Sequence, residues 1–134
     1  MRHDIDGMNK SMVYIEKIIS DRLINSINSL KICLVGFSQG AVLSLYIAAN
    51  SSIKLNGVIA LSGYLPEKNV VKASSKMPIL AIHGQHDDII NINYAQKSFC
   101  DLMPMEHFNL LTFPMGHEVI DEEIMHIKQF LQRA

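Results

Sequence analysis

Ile32-Cys33-Leu34-Val35-Gly36-Phe37-Ser38-Gln39-Gly40 joins a wholly apolar run to a serine set between two glycines. Ile32–Val35 predicts a short strand covered on both faces. From residue 39 to residue 50, Val42, Leu45, Ala48 and Ala49 return at helical steps. A G-x-S-x-G turn between a strand and a helix is the pattern of a nucleophile elbow. Such a turn strains the serine backbone, and flanks without side chains let neighbouring backbone pass close by. The Ser38 hydroxyl is thereby pushed over the sheet rim, at a helix start whose amides favour a developing anion. The amide of Gln39 is the expected first oxyanion donor. Taken alone, the pentapeptide also fits an ordinary turn with an N-capping serine; the flanking strand and helix favour the catalytic reading.

Outward from this turn, helix and strand alternate. Met8, Met12, Ile15, Ile19, Leu23 and Ile27 recur every three or four residues, predicting a helix over 7–28 that breaks at Asn28 and Ser29. Val58–Leu61 and Ile79–Ile82 read as buried strands, the latter entered through Pro78. A helix is expected over 92–103, broken before Pro104, and a fourth strand over His107–Phe113, ended by Pro114 and Gly116. The last helix, about 119–132, carries Ile120, Ile124, Ile127 and Leu131 on one face. Strands alternating with crossover helices imply an α/β fold, a parallel sheet flanked by helices. Right-handed crossovers bring all four strand C-termini to one rim, where open α/β sheets bind ligands.

A serine nucleophile needs a histidine base oriented by a carboxylate, in the chain order Ser, acid, His for this fold. The loop after the third strand reads His83-Gly84-Gln85-His86-Asp87-Asp88, and the loop after the fourth reads Pro114-Met115-Gly116-His117. Both fall at the correct rim. Either Asp87 or Asp88 can serve as the acid, the other then being a solvated loop carboxylate. His117, one of six histidines, also fits a plain surface position, but its place directly after a strand favours the base. His83 and His86 lack further ligands nearby, so no metal is expected. His107 and His126 read as strand-edge and helix-surface residues, and the eight methionines as core packing.

Composition bounds the rest. The 134 residues are 49% hydrophobic with a net charge of −1, so one packed domain over 1–134 is expected. The charges are scattered, giving no footprint for nucleic acid or an anionic membrane. Cys33 and Cys100 form neither a disulfide framework nor a zinc cluster, which suits a reducing, cytoplasmic setting. Charges throughout the first thirty residues exclude a secretory signal, and no run approaches a membrane span.

GFSQG at 36–40, LSGYLP at 61–66, PILAIHGQHDDII at 78–90 and PMGHEVIDEEIMHIKQFL at 114–131 closely resemble the carboxylesterase/phospholipase family that includes the acyl-protein thioesterases. The resemblance covers essentially the whole chain and implies the C-terminal part of an α/β-hydrolase fold. It implies Ser38 as nucleophile, His117 as general base and Asp87 rather than Asp88 as acid, because the family's acid stands four residues after the histidine of a His-Gly pair, here His83. It implies hydrolysis of small or lipid-type carboxylic esters and acyl thioesters with neither metal nor organic cofactor, and Leu65 as a substrate-binding residue of the acyl pocket. Ala41 stands where many relatives carry a second glycine. The family's sheet begins with further strands, one followed by a His-Gly loop that donates the second oxyanion amide; residues 1–30 read as one helix and supply neither. The expectation is therefore a truncated chain whose Ile32–Val35 strand becomes an exposed apolar edge, open to homo-oligomer formation or to a separate N-terminal piece. Rival readings are a catalytically silent remnant acting as an interaction module, and a peptidase or lipase on the same fold.

Overall fold

A computed structural model describes residues 4–26, 30–66 and 77–134. Its elements run α1 (Ile5–Ile24), β1 (Cys33–Phe37), α2 (Gln39–Asn50), β2 (Gly57–Leu61), β3 (Ile79–Gly84), α3 (Ile92–Ser98), β4 (Phe108–Phe113) and α4 (Asp121–Arg133). The four strands form one parallel sheet in the order β1-β2-β3-β4, each hydrogen-bonded to the next in sequence. Helices cover the faces, as the alternating pattern predicts. Among the described residues no helix is long and apolar enough to cross a membrane.

Side-chain alternation divides the sheet residues between two cores. Val58, Ala60, Ile79, Ala81 and Phe108 face α1, α2 and α3, joining Leu45, Val42, Phe99 and Leu102 in the larger core. Ile59, Leu61, Leu80 and Ile82 face the opposite way, where Ile120, Ile127 and Phe130 of the α4 segment pack on them. Met8, Met12, Ile15 and Ile19 turn α1 toward the larger core, along the predicted stripe. Leu23 is exposed, and Ile27, Asn28 and Ser29 lie outside the described residues.

Three expectations change. β1 is an edge strand covered on one face only. Leu34 packs on the larger core, whereas Val35 and Phe37 are 52% and 42% exposed because α4 lies over the middle of the sheet and stops short of them. α3 ends at Ser98, whose hydroxyl donates to the Ala95 carbonyl and accepts the Leu65 amide, and turns continue to residue 104. Phe99 and Leu102 keep their buried places there, which is why the periodicity suggested a longer helix.

The third change concerns the packed face of α4. It is Ile120, Glu123, Ile127 and Phe130, while Ile124 and Leu131 are exposed. Glu123 Oε2 accepts the Ile120 amide at 2.6 Å, an N3 carboxylate capping the helix start, and this fixes the helix's rotation. Phe130 then lies against Gly57, where even a Cβ would come within 2.7 Å of its ring.

Candidate active site

Three strand ends supply the site. At the end of β1, Ser38 has φ 57° and ψ −117°, a left-handed conformation that a non-glycine residue holds only under constraint. The constraint is visible on both sides of the residue. Its amide donates to the Leu61 carbonyl at 2.8 Å, and its carbonyl accepts the Ala41 and Val42 amides that open α2. Gly36 makes the sharp turn passable, since a Cβ there would sit 2.2 Å from the Gly40 carbonyl oxygen. Gly40 has no such role: a Cβ on it would meet nothing within 4 Å. The close approach expected at both glycines holds at one.

The ends of β3 and β4 meet backbone to backbone. A Cβ on Gly84 would lie 2.3 Å from the carbonyl oxygens of both Met115 and Gly116, so only glycine lets these loops touch. Gln85 donates to the Phe113 carbonyl and His86 to that of Met115, fastening one loop to the other. The result delivers Asp87 to His117. Asp87 Oδ2 lies 2.8 Å from His117 Nδ1, and His117 Nε2 lies 2.9 Å from Ser38 Oγ. Asp87 is buried; Asp88 is exposed and takes no part. The two aspartates, equivalent in the sequence pattern, are thus separated by burial.

Electrostatics follow from those contacts. Burial pushes the Asp87 carboxyl up, but the Ile90 amide, the His117 hydrogen bond, the Ile89 amide and the His117 charge together hold it below the usual carboxylate range. Asp87 Oδ1 accepts the Ile89 and Ile90 amides at 2.9 and 2.8 Å, leaving Oδ2 for the imidazole. With Nδ1 facing a carboxylate, the proton of neutral His117 belongs on that nitrogen, and the Nε2 lone pair faces the Ser38 hydroxyl. The Phe37 ring lies over His117 with centroids 4.9 Å apart. Between two backbone-defined turn positions, Phe37 carried no sequence signal for this contact.

Ser38 and Gln39 open onto a cleft of about 600 Å³ lined also by Asp4, Met8, Val42, Tyr64 and Ile90. Leu65 is not on its wall: it is buried in the larger core with its amide on Ser98 Oγ. Its neighbour Tyr64, part of the same core, lines the cleft instead. The start of α1 contributes Asp4, Gly7, Met8 and Ser11, none of which the motif reading singled out. Among the described residues no three His, Cys, Asp or Glu side chains converge as a metal site.

The family model described as phospholipase/carboxylesterase matches residues 1–134. The chain is 32% identical over 139 residues to acyl-protein thioesterase 1 of Debaryomyces hansenii, covering 97% of this chain and 60% of that protein. It is 36% identical over 126 residues to acyl-protein thioesterase 1 homolog 1 of Dictyostelium discoideum, covering 89% and 51% respectively. It therefore spans little more than half the length of these relatives. Among solved structures, Zea mays acyl-protein thioesterase 2 superposes with a TM-score of 0.82 at 24% identity, over 98% of this chain and 66% of that one. Arabidopsis thaliana SOBER1 gives 0.81 at 22%, over 98% and 66%. At these identities the two structures establish the shared fold.

Proposed function

This chain belongs to the phospholipase/carboxylesterase family, and from that premise we propose that it is a serine hydrolase cleaving carboxylic esters or acyl thioesters through Ser38, His117 and Asp87. The observation that carries the reading is the unbroken hydrogen-bonded path from Ser38 Oγ to His117 Nε2 (2.9 Å) and from His117 Nδ1 to Asp87 Oδ2 (2.8 Å). It starts from a strained serine at the head of a helix.

In this mechanism His117 Nε2 takes the Ser38 proton as Oγ bonds to the acyl carbon. The Gln39 amide, at the N-terminus of α2, stabilises the oxyanion. Collapse of the tetrahedral intermediate breaks the acyl C–O or C–S bond, and His117 returns the proton to the departing alcohol or thiol. Water then repeats the cycle on the acyl-enzyme, with Asp87 holding the imidazole tautomer and stabilising its cation throughout. The apolar wall of Met8, Val42 and Ile90 beside Ser38 suits an acyl chain, in keeping with the thioesterase names of the relatives. Free cysteines at 33 and 100 accord with a reducing, cytoplasmic setting.

The test is hydrolysis of a short-chain p-nitrophenyl ester and of an acyl thioester, beside Ser38→Ala and with fluorophosphonate labelling. Turnover and a Ser38 adduct in the parent chain, both lost in the variant, support the reading. Equal background from both proteins and no adduct overturn it. A second reading draws on Val35 and Phe37, apolar and exposed on an edge strand: β1 pairs with a second copy of the chain. Size-exclusion with light scattering decides it, and a well-behaved monomer with measurable turnover removes it.

A further inference from the structure

His83 is fully buried at the end of β3 and has no part in the proton path described above. Its Nε2 lies 2.7 Å from the Ile90 carbonyl oxygen and 3.4 Å from Asp87 Oδ2. Both neighbours are acceptors, so Nε2 carries a proton and donates. Nδ1, also buried, has no partner among the described residues. A leucine would fill similar space without burying an unsatisfied nitrogen, so packing alone is a poor account of this side chain.

The contacts close a small circuit. The Ile90 amide donates to Asp87 Oδ1 and the Ile90 carbonyl accepts from His83 Nε2, so the two peptide units flanking this residue are held from opposite ends. The two amides fix Oδ1 of the carboxylate; His83 ties the far end of the loop to a buried strand and faces Oδ2. We propose that His83 is the positioning residue of the acid, holding the 87–90 loop so that Asp87 Oδ2 is aimed at His117. This rests on the hydrolase reading for its consequence in turnover, but the geometry it asserts exists without turnover.

The test therefore has two readouts. The first is the downfield proton resonance of His117 Nδ1–H bonded to Asp87, assigned by its loss in Asp87→Asn. The second is the split of ester hydrolysis into kcat and KM. His83→Leu removes the donor. His83→Gln returns an N–H near the Nε2 position. His83→Asn, whose amide falls short of Ile90, replaces the leucine variant should that one not fold.

His83→Leu is expected to shift or broaden the resonance and to lower kcat roughly tenfold with KM little changed, as loss of one oriented hydrogen bond implies. His83→Gln is expected to restore most of both. In an Asp87→Asn background the leucine substitution should cost nothing more, because its effect passes through Asp87. An unchanged resonance, a glutamine variant as impaired as the leucine one, or a full additional loss beside Asp87→Asn overturns the proposal. If the resonance responds as expected while the parent chain hydrolyses nothing, the hydrolase reading falls and the positioning role stands.

Discussion

The two sides of the site are built differently. On the Asp87–His117 side, the loops after β3 and β4 lock together through a glycine that admits no side chain, and Asp87 is buried with both oxygens engaged. On the Ser38 side, the serine leaves an edge strand whose Val35 and Phe37 are about half open, beside a Gly40 with empty space above it. One side achieves order by mutual packing, the other by local backbone strain anchored to a single neighbouring strand. Order of the first kind is sensitive to added volume; order of the second kind is sensitive to the few hydrogen bonds that hold the turn.

Substitutions can break or sharpen that contrast. The largest effect is expected from Asp87→Asn, which should lower kcat about 10⁴-fold by favouring the wrong imidazole tautomer, while Asp88→Asn changes little. Equal effects in ester hydrolysis would refute the division between the buried and the solvated carboxylate. Next, Ile59→Ala should cost about 2–5 kcal/mol in denaturant unfolding, because Ile59 is fully buried on β2. Val35→Ala, its register partner on β1, should cost at most about 1 kcal/mol, in line with its exposure. Comparable losses would mean that something covers the edge in solution.

A third pair concerns glycines. Gly84→Ala forces two carbonyls apart and should destabilise by about 1–3 kcal/mol, with turnover falling as Asp87 and His117 separate. Gly40→Ala has room on a helix and should be neutral or stabilise by up to about 1 kcal/mol. Thermal melts and ester assays on both variants check this.

The smallest expected effect is a pH dependence. Asp87 has a folded value held below its ordinary one, so its stabilisation is present above the ordinary carboxylate value and lost as pH falls through the lowered one. Glu123 runs the other way: burial, with the nearby Glu118 charge also raising it, outweighs the Ile120 amide and pushes it up. Its contribution is full below the ordinary glutamate value and lost as pH rises through the raised one. Stability measured against pH should therefore lose, in Glu123→Gln, the decline that runs from the ordinary glutamate value up to the raised one, and its acid-side decline should weaken in Asp87→Asn.

Much of this frame is legible in the sequence because it depends on short-range patterns. Strand, elbow and helix around Ser38 follow from apolar runs and two glycines, and the α/β order follows from alternation. What escaped depends on contacts between segments. No local pattern separates Gly36, pressed against α2, from Gly40, which faces space. The choice of Asp87 over Asp88 came only through family resemblance, since burial is decided by the fold. Ile120 and Ile127 pack as the α4 stripe predicts, but Ile124 and Leu131 yield to Glu123 and Phe130 because the fully buried Glu123 occupies a place that hydrophobic periodicity assigns to no charged residue. That Tyr64 rather than Leu65 lines the cleft escaped for a similar reason: sequence names the loop but not which of its side chains reaches the cleft.

Because β1 and β4 are opposite edges of the sheet, Ser38 and His117 originate about three strand spacings apart, roughly 14 Å. Fraying of β1 withdraws Ser38 and leaves Asp87 and His117 paired without it; fraying of β4 withdraws His117 and leaves Ser38 without its imidazole. Neither partial structure retains the proton path. On the proposed mechanism, reactivity at Ser38 would be a gauge of the integrity of all four strands, and a serine-directed probe would count intact molecules rather than merely folded segments.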